Sequence, residues 1–215
     1  MKRIICTVIC AVMLICSLTG CMPTFDAQAY VQGNIDLVYL NKISDSYLQT
    51  VTNTKEELES IYEQGIEVEA DYFVSYFYID LELAPEDTMD RIKELYKEIY
   101  SHSKYEVGEA VKSGDDYLVS VTIHPIDIIQ KVVTEDWEAF EEEYVNNAEQ
   151  LATMTDEECE KLWVDSVFEL VENRLATIGY LEPQTISIQV VKDADGDYTI
   201  SENDFGRIDS LIIQY

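Results

Sequence analysis

Tyr117-Leu118-Val119-Ser120-Val121-Thr122-Ile123-His124-Pro125 decides the fold class. Tyr117, Val119, Val121 and Ile123 alternate with Leu118, Ser120, Thr122 and His124, the period of a strand with one apolar face. Pro125 has no backbone N–H and closes the strand. Upstream, Tyr105, Val107 and Val111 lead into Ser113-Gly114-Asp115-Asp116, so the pattern predicts a hairpin. A second alternation follows near the C-terminus, with Ile186, Ile188 and Val190 against Ser187, Gln189 and Val191. It runs into Asp193-Ala194-Asp195-Gly196-Asp197, where Asp-Gly is a strong turn signal, and resumes at Tyr198 and Ile200.

Around these strands the period is helical. Ala27, Val31, Ile35 and Val38 mark a first helix, which Gly33 weakens. Thr54 with Glu57 makes a capping box for a second helix, carried on by Leu58, Ile61, Tyr62, Val68 and Tyr72. The aromatic run Tyr72-Phe73-Val74-Ser75-Tyr76-Phe77-Tyr78-Ile79 suits a strand by composition but continues that helix by position, and helix is the reading taken. A third helix is expected from about Glu86 to His102, with Ile92, Leu95, Tyr96 and Ile99 on one side. After Pro125 two more are expected, with a break near Thr134 where that residue can cap a new helix. Thr155 with Glu158 is a second capping box, and Gly179 reads as the residue that ends the helix it starts. Ser201 caps a short final helix carrying Phe205, Ile208, Leu211 and Ile212. Strands in antiparallel pairs and helices in runs predict an α+β fold, a small antiparallel sheet built from hairpins and covered by several helices. No repeat or linker divides residues 27–215, which read as a single α+β domain.

The composition narrows the functional classes. Of 215 residues, 14 are Lys or Arg and 43 are Asp or Glu, for a net charge of −29. That balance argues against nucleic-acid binding, which needs clustered basic residues to displace counterions. A hydrophobic share of 47% excludes a disordered acidic tail.

The N-terminus has a separate logic. Met1-Lys2-Arg3 is a positive flank and Ile4–Ile15 an apolar run, too short for the ~30 Å hydrocarbon core that takes about 20 residues. Its length and flanks suit a secretory signal over residues 1–20. Leu18-Thr19-Gly20-Cys21 then matches a lipobox at all four positions, and here the chain resembles bacterial lipoprotein precursors. The resemblance implies that the Cys21 thiol is alkylated with diacylglycerol, acylated with palmitate or a similar chain, and becomes the first mature residue. It further implies a lipidated tether over 21–26 and a place on the extracytoplasmic face of the cell membrane. Sulfur is the nucleophile such chemistry needs, and paired acyl chains hold far better than one. Loss of residues 1–20 takes Lys2 and Arg3 and no acid, leaving net −31. Cys159 is then the one remaining thiol, read as a small buried apolar residue, and no internal disulfide can form.

The segment Tyr117–Asp127 and the stretch Lys192–Ile213 are also similar to Gram-positive lipoproteins whose domain has no assigned function and is cystatin-like or NTF2-like. That similarity brings no functional residues with it.

Little in the mature chain points to chemistry. Setting Gly196 at the sixth place of a calcium loop puts Asp193, Asp195 and Asp197 at places 3, 5 and 7, but Val191 then stands first without a side-chain oxygen. A hairpin tip is the better account. Glu141-Glu142-Glu143 and Asp156-Glu157-Glu158 read as solvated faces or first turns. There is no nucleophile elbow, zinc helix or glycine-rich phosphate loop, and His102 and His124 have no evident catalytic neighbours. Neither a catalytic residue, a cofactor nor a metal is expected. The 15 tyrosines stand out. Tyr62, Tyr72, Tyr76, Tyr96, Tyr100, Tyr105 and Tyr117 can line a pocket for a sugar or peptide, though core filling suits their spacing better. The expected function is a non-enzymatic binding or interaction module, attached to the membrane through Cys21, whose acidic surface attracts a basic protein partner or divalent cations. The competing reading is a surface hydrolase using carboxylates in a tyrosine-lined cleft. A transporter's solute-binding protein fits the length and strand order less well.

Overall fold

A computed structural model describes residues 25–215. The expected signal peptide (1–20) and Cys21 lie outside the described residues. Of the expected tether, Phe25 and Asp26 are described, and both join the fold. Phe25 stacks on Tyr198 with ring centroids 4.0 Å apart, and the Asp26 carboxylate accepts the Ala29 N–H at 2.9 Å.

The order of elements is α1 (Ala27–Leu40), α2 (Asp45–Leu48), α3 (Lys55–Tyr76), α4 (Thr88–Ser101), β1 (Lys104–Ser113), β2 (Asp116–His124), α5 (Ile128–Lys131), a π-helical turn (Val132–Asp136), α6 (Trp137–Asn146), α7 (Ala148–Leu151), α8 (Asp156–Leu175), β3 (Gln184–Lys192), β4 (Tyr198–Ile200) and α9 (Glu202–Ile212). The four strands form one antiparallel sheet in the order β1-β2-β3-β4. The two predicted hairpins are joined side by side through β2 and β3, with Val119 opposite Ile188 and Val121 opposite Ile186. The fold is α+β, as expected.

The alternation in β2 settles its faces. Val119, Val121 and Ile123 are wholly buried, as are Ile188 and Val190 on β3; each such burial contributes roughly 1.5–3 kcal/mol. Leu118, on the opposite face, stays exposed. Helices α1 and α9 lie against the sheet, and α3 and α4 pack on each other and on α1. Both capping boxes form: the Thr54 hydroxyl accepts from Glu57 N–H at 3.2 Å while Glu57 accepts from Thr54 N–H at 2.8 Å, and Thr155 with Glu158 repeats the pattern at 3.3 and 2.9 Å. Ser201 caps α9 through the Asp204 N–H.

Four local expectations change. The aromatic run is helical only to Tyr76; Phe77 caps α3, and Tyr78 turns into the left-handed region at φ 55°. The third helix starts at Thr88 rather than Glu86. No break occurs at Thr134, whose hydroxyl donates to the Gln130 carbonyl at 2.8 Å while the chain passes through the π turn. Gly179 does not end α8, which stops at Leu175. Its N–H donates to the buried Asp127 carboxylate at 3.0 Å, and a Cβ there would stand 2.8 Å from an oxygen of the same group. Glycine is required for that approach. Gly33, the weak point of the α1 pattern, has a similar explanation: a Cβ there would fall 2.1 Å from Cγ of Tyr47, a ring wholly buried against the helix.

Candidate functional site

The pair repeat in Tyr72-Phe73 and Tyr76-Phe77 sorts the end of α3 into two faces, because residues four apart share a helix side. Phe73 and Phe77 are buried, with ring centroids 4.5 Å apart. Tyr72 and Tyr76 are half-buried on the neighbouring face and line a groove of about 500 Å³. Ser75, Phe77, Tyr78, Val133 and Trp137 complete its lining. The volume suits a small ligand.

The far wall depends on the π turn. One extra residue in the helical ladder re-phases the turns after it, and here it sets Trp137 5.8 Å from Phe77 between ring centroids. Arg174 on α8 holds this turn from outside. Its guanidinium donates two hydrogen bonds to Asp136 at 2.6 Å each and meets Glu135 at 2.9 Å, and those carboxylates hold its pKa up. Trp137 donates its indole N–H to Glu141 at 2.8 Å. Behind it, Phe140, Tyr144 and Trp163 continue an aromatic layer between α6 and α8, with centroids 5.4–5.9 Å apart.

Tyr78 is the most unusual wall. The Ile79 N–H bonds the Val74 carbonyl at 3.0 Å, the closing bond of a Schellman motif. Tyr78 therefore occupies the position where glycine is preferred, and its side chain is 85% exposed. A bulky residue in the left-handed region costs about 1 kcal/mol or more. The far side of Tyr78 faces a second depression, with Asp156, Cys159, Glu160 and Trp163.

Behind the groove, the buried Glu69 interacts with the half-buried Asp209. Glu69 belongs to the inward stripe of α3, Leu58-Tyr62-Ile66-Glu69-Phe73, and is only 5% exposed. Burial raises its pKa well above the carboxylate range, the Asp209 charge raises it further, and a hydrogen bond from Tyr100 works the other way. Asp209, on α9, is pushed up to about 6 by burial, against the lowering effect of the Tyr39 hydroxyl that donates to it at 3.3 Å. Two carboxyl groups that raise each other's pKa in a poorly solvated site cannot readily both ionise. Tyr96 and Tyr215 share a short hydroxyl–hydroxyl contact beside them. The Tyr215 ring packs edge-on to Tyr72 at 4.7 Å and to Tyr76 at 5.0 Å, joining the interior to the groove wall.

The tyrosines singled out from sequence thus divide. Tyr62, Tyr96 and Tyr100 fill the core. Tyr105 donates to Asp36 at 2.5 Å, and Tyr117 packs beside Phe25 and Tyr198. Only Tyr72 and Tyr76 of the seven reach the groove. Tyr78 and Trp137 were not singled out, and neither was the acid pair, although a glutamate on the apolar stripe of α3 was visible in the spacing. Cys159 is half-buried rather than buried, its thiol 3.7 Å from the Leu151 carbonyl. His102 caps α4 beside Glu98, and His124 packs edge-on to Tyr180.

The acidic turn at Asp193, Asp195 and Asp197 joins β3 to β4. The Asp193 carboxylate accepts the N–H groups of Asp195 and Asp197, each at 2.9 Å, and Gly196 takes φ +97°. Asp193 Oδ1 thus organises the backbone of the tip. Among the described residues no group of three or more His, Cys, Asp or Glu side chains is arranged to hold a metal ion.

No protein-family model matches the chain, and no curated protein matches it significantly. Among solved structures it is similar to YcdA of Bacillus subtilis, a protein described as a candidate lipoprotein, with a TM-score of 0.58 and 13% sequence identity. The likeness covers 88% of this chain and 56% of that one, so the present chain spans little more than half the length of its structural neighbour. At this identity the likeness is one of fold.

Proposed function

We propose that the protein is a lipid-anchored binding module on the extracytoplasmic face of the cell membrane, with residues 27–215 as its one domain. The lipobox Leu18-Thr19-Gly20-Cys21 behind a short apolar run supports the anchor, and the fold shared with a candidate lipoprotein agrees with it. No helix among the described residues is long and apolar enough to cross a membrane, so in this reading Cys21 carries the attachment. The sheet with α1 and α9 against it supports the cystatin-like or NTF2-like resemblance.

One observation carries the binding role. Among the described residues the groove is lined by tyrosine, tryptophan, phenylalanine, valine and serine, with no carboxylate, imidazole or amine. Ring faces and hydroxyls can hold a ligand, but they offer no group suited to general acid–base work near neutral pH. The competing hydrolase needs carboxylates facing each other across its cleft, whereas Glu69 is buried and neither it nor Asp209 is among the described residues that line the groove.

Cells fed labelled palmitate test the anchor. The wild-type chain takes up label and sediments with membranes; Cys21→Ser takes up none and moves to the soluble fraction. An unlabelled wild-type chain would overturn the reading.

A further inference from the structure

We propose that the groove between α3 and the π turn binds a small organic cation of the quaternary-ammonium type, held by the faces of Tyr72, Tyr76, Tyr78 and Trp137. The inference rests on the binding-module reading and names its ligand class. Such cations are recognised by aromatic walls, because the ring quadrupole attracts a charge too bulky and weakly hydrated for a tight ion pair.

Three observations select this class. The first is the lining itself: of its seven described residues four are tyrosine or tryptophan, and none of the seven carries a charge. A glycan would ask for planar amides, carboxylates or guanidinium groups to read its hydroxyls, and the groove has none. The second is the surrounding charge. Glu141 accepts the indole N–H of Trp137, which makes the ring face more negative. Asp156 and Glu160 line the depression across Tyr78, whereas Glu135 and Asp136, near Trp137 in sequence, are paired with Arg174. Among the described residues no lysine, arginine or histidine lines the groove or the depression across Tyr78, in a chain of net charge −29. An anionic ligand would be repelled and a cation drawn in. Elsewhere the same chain already sets cations over rings, with Arg91 4.1 Å from the Phe168 centroid. The third is Tyr78, held in a backbone conformation that favours glycine while its ring stands in solvent at the groove mouth. Stability does not account for a tyrosine there; a wall for a ligand does.

Calorimetric titration of the full chain in detergent, with choline chloride as the probe and neutral 3,3-dimethylbutan-1-ol as its uncharged isostere, tests the proposal. Choline is expected to bind saturably at one site, at least tenfold more tightly than the alcohol. Trp137→Ala should weaken choline at least tenfold and Trp137→Phe by less. Tyr78→Ala, a change at an exposed side chain, serves where Trp137→Ala fails to fold and should weaken choline severalfold. Equal affinity for the two probes overturns the proposal, since the groove would then select shape without charge. Choline binding unchanged in both Trp137→Ala and Tyr78→Ala overturns it as well, by placing the site elsewhere. Absence of saturable choline binding to the wild-type chain overturns the ligand class, while the palmitate experiment still decides the anchored-module reading by itself.

Discussion

Tyr96 and Tyr78 stand eighteen residues apart and mark the two ways this protein uses tyrosine. Tyr96 is wholly buried, its hydroxyl paired with Tyr215 and its ring edge-on to Phe73. Tyr39 and Tyr100 share that interior, packed edge-on at 5.1 Å beside Glu69 and Asp209. Tyr72, Tyr76 and Tyr78 form an outer rank whose rings face a groove. The inner rank combines apolar rings with hydroxyls that satisfy the Glu69–Asp209 pair, as a poorly solvated polar group requires. The outer rank has ring faces left over, and its last member occupies a backbone site that a glycine would hold with less strain. Inner tyrosines are placed by packing and hydrogen bonding; the outer ones leave apolar faces unused by the core.

Substitution separates the ranks. The largest effect is expected from Tyr96→Ala, which empties a fully buried site and strips Tyr215 of its partner; roughly 3–5 kcal/mol of stability should be lost. Urea denaturation measures it, and a loss under about 1 kcal/mol would erase the distinction between the ranks.

A middle effect comes from the acid pair. Desolvation pushes the Asp209 carboxyl up to about 6 from an ordinary 3.8. Between those values the folded state keeps a proton that the unfolded chain has released. This contribution to stability is therefore full below about pH 4 and is lost as pH rises through about 6. Glu69, also raised, acts in the same direction. At Asp165 burial pushes upward, but hydrogen bonds from Lys161 and Arg91 prevail and lower it, so that group acts in the opposite direction. Asp209→Asn keeps an acceptor for Tyr39 and removes the charge, so it should gain about 1–2 kcal/mol near pH 7. Thermal melts from pH 4 to 8 should show a flatter decline in the variant than in the wild type; parallel curves would mean that the pair is better solvated than its burial indicates.

The smallest effect has the opposite sign from the first. Tyr78→Gly relieves the left-handed backbone and should raise stability by about 0.5–1 kcal/mol, while weakening choline in the calorimetric titration. A variant that is stabilised and binds less well would show that the outer rank is kept at a cost in stability. A destabilised Tyr78→Gly would place Tyr78 with the inner rank.

Much of the architecture was legible along the chain. The alternation at Tyr117–Ile123 and Ile186–Val190 has a period of two, which burial of one sheet face imposes and which no helix tolerates. Both capping boxes are local contacts over three residues, so sequence alone suffices to find them. The groove was half legible: Tyr72 and Tyr76 were marked, but their period does not distinguish a core face from a groove face. The π turn left no signal, and the Arg174 that pairs with its Asp136 lies 38 residues away. Gly179 misled because glycine near a helix end usually caps it, whereas here a carboxylate 52 residues earlier needs the room.

By itself the sequence determined the class of fold, the positions of the strands and the helix starts at the two capping boxes, because periodicity and capping act over a few neighbouring residues. Tertiary structure alone decided which tyrosines face inward, that Glu69 meets Asp209 across 140 residues of chain, and that Trp137 closes a groove begun by Tyr72. Those outcomes depend on how α3, α9 and the π turn meet in space, and burial and electrostatics between distant segments leave no periodic trace in the order of residues.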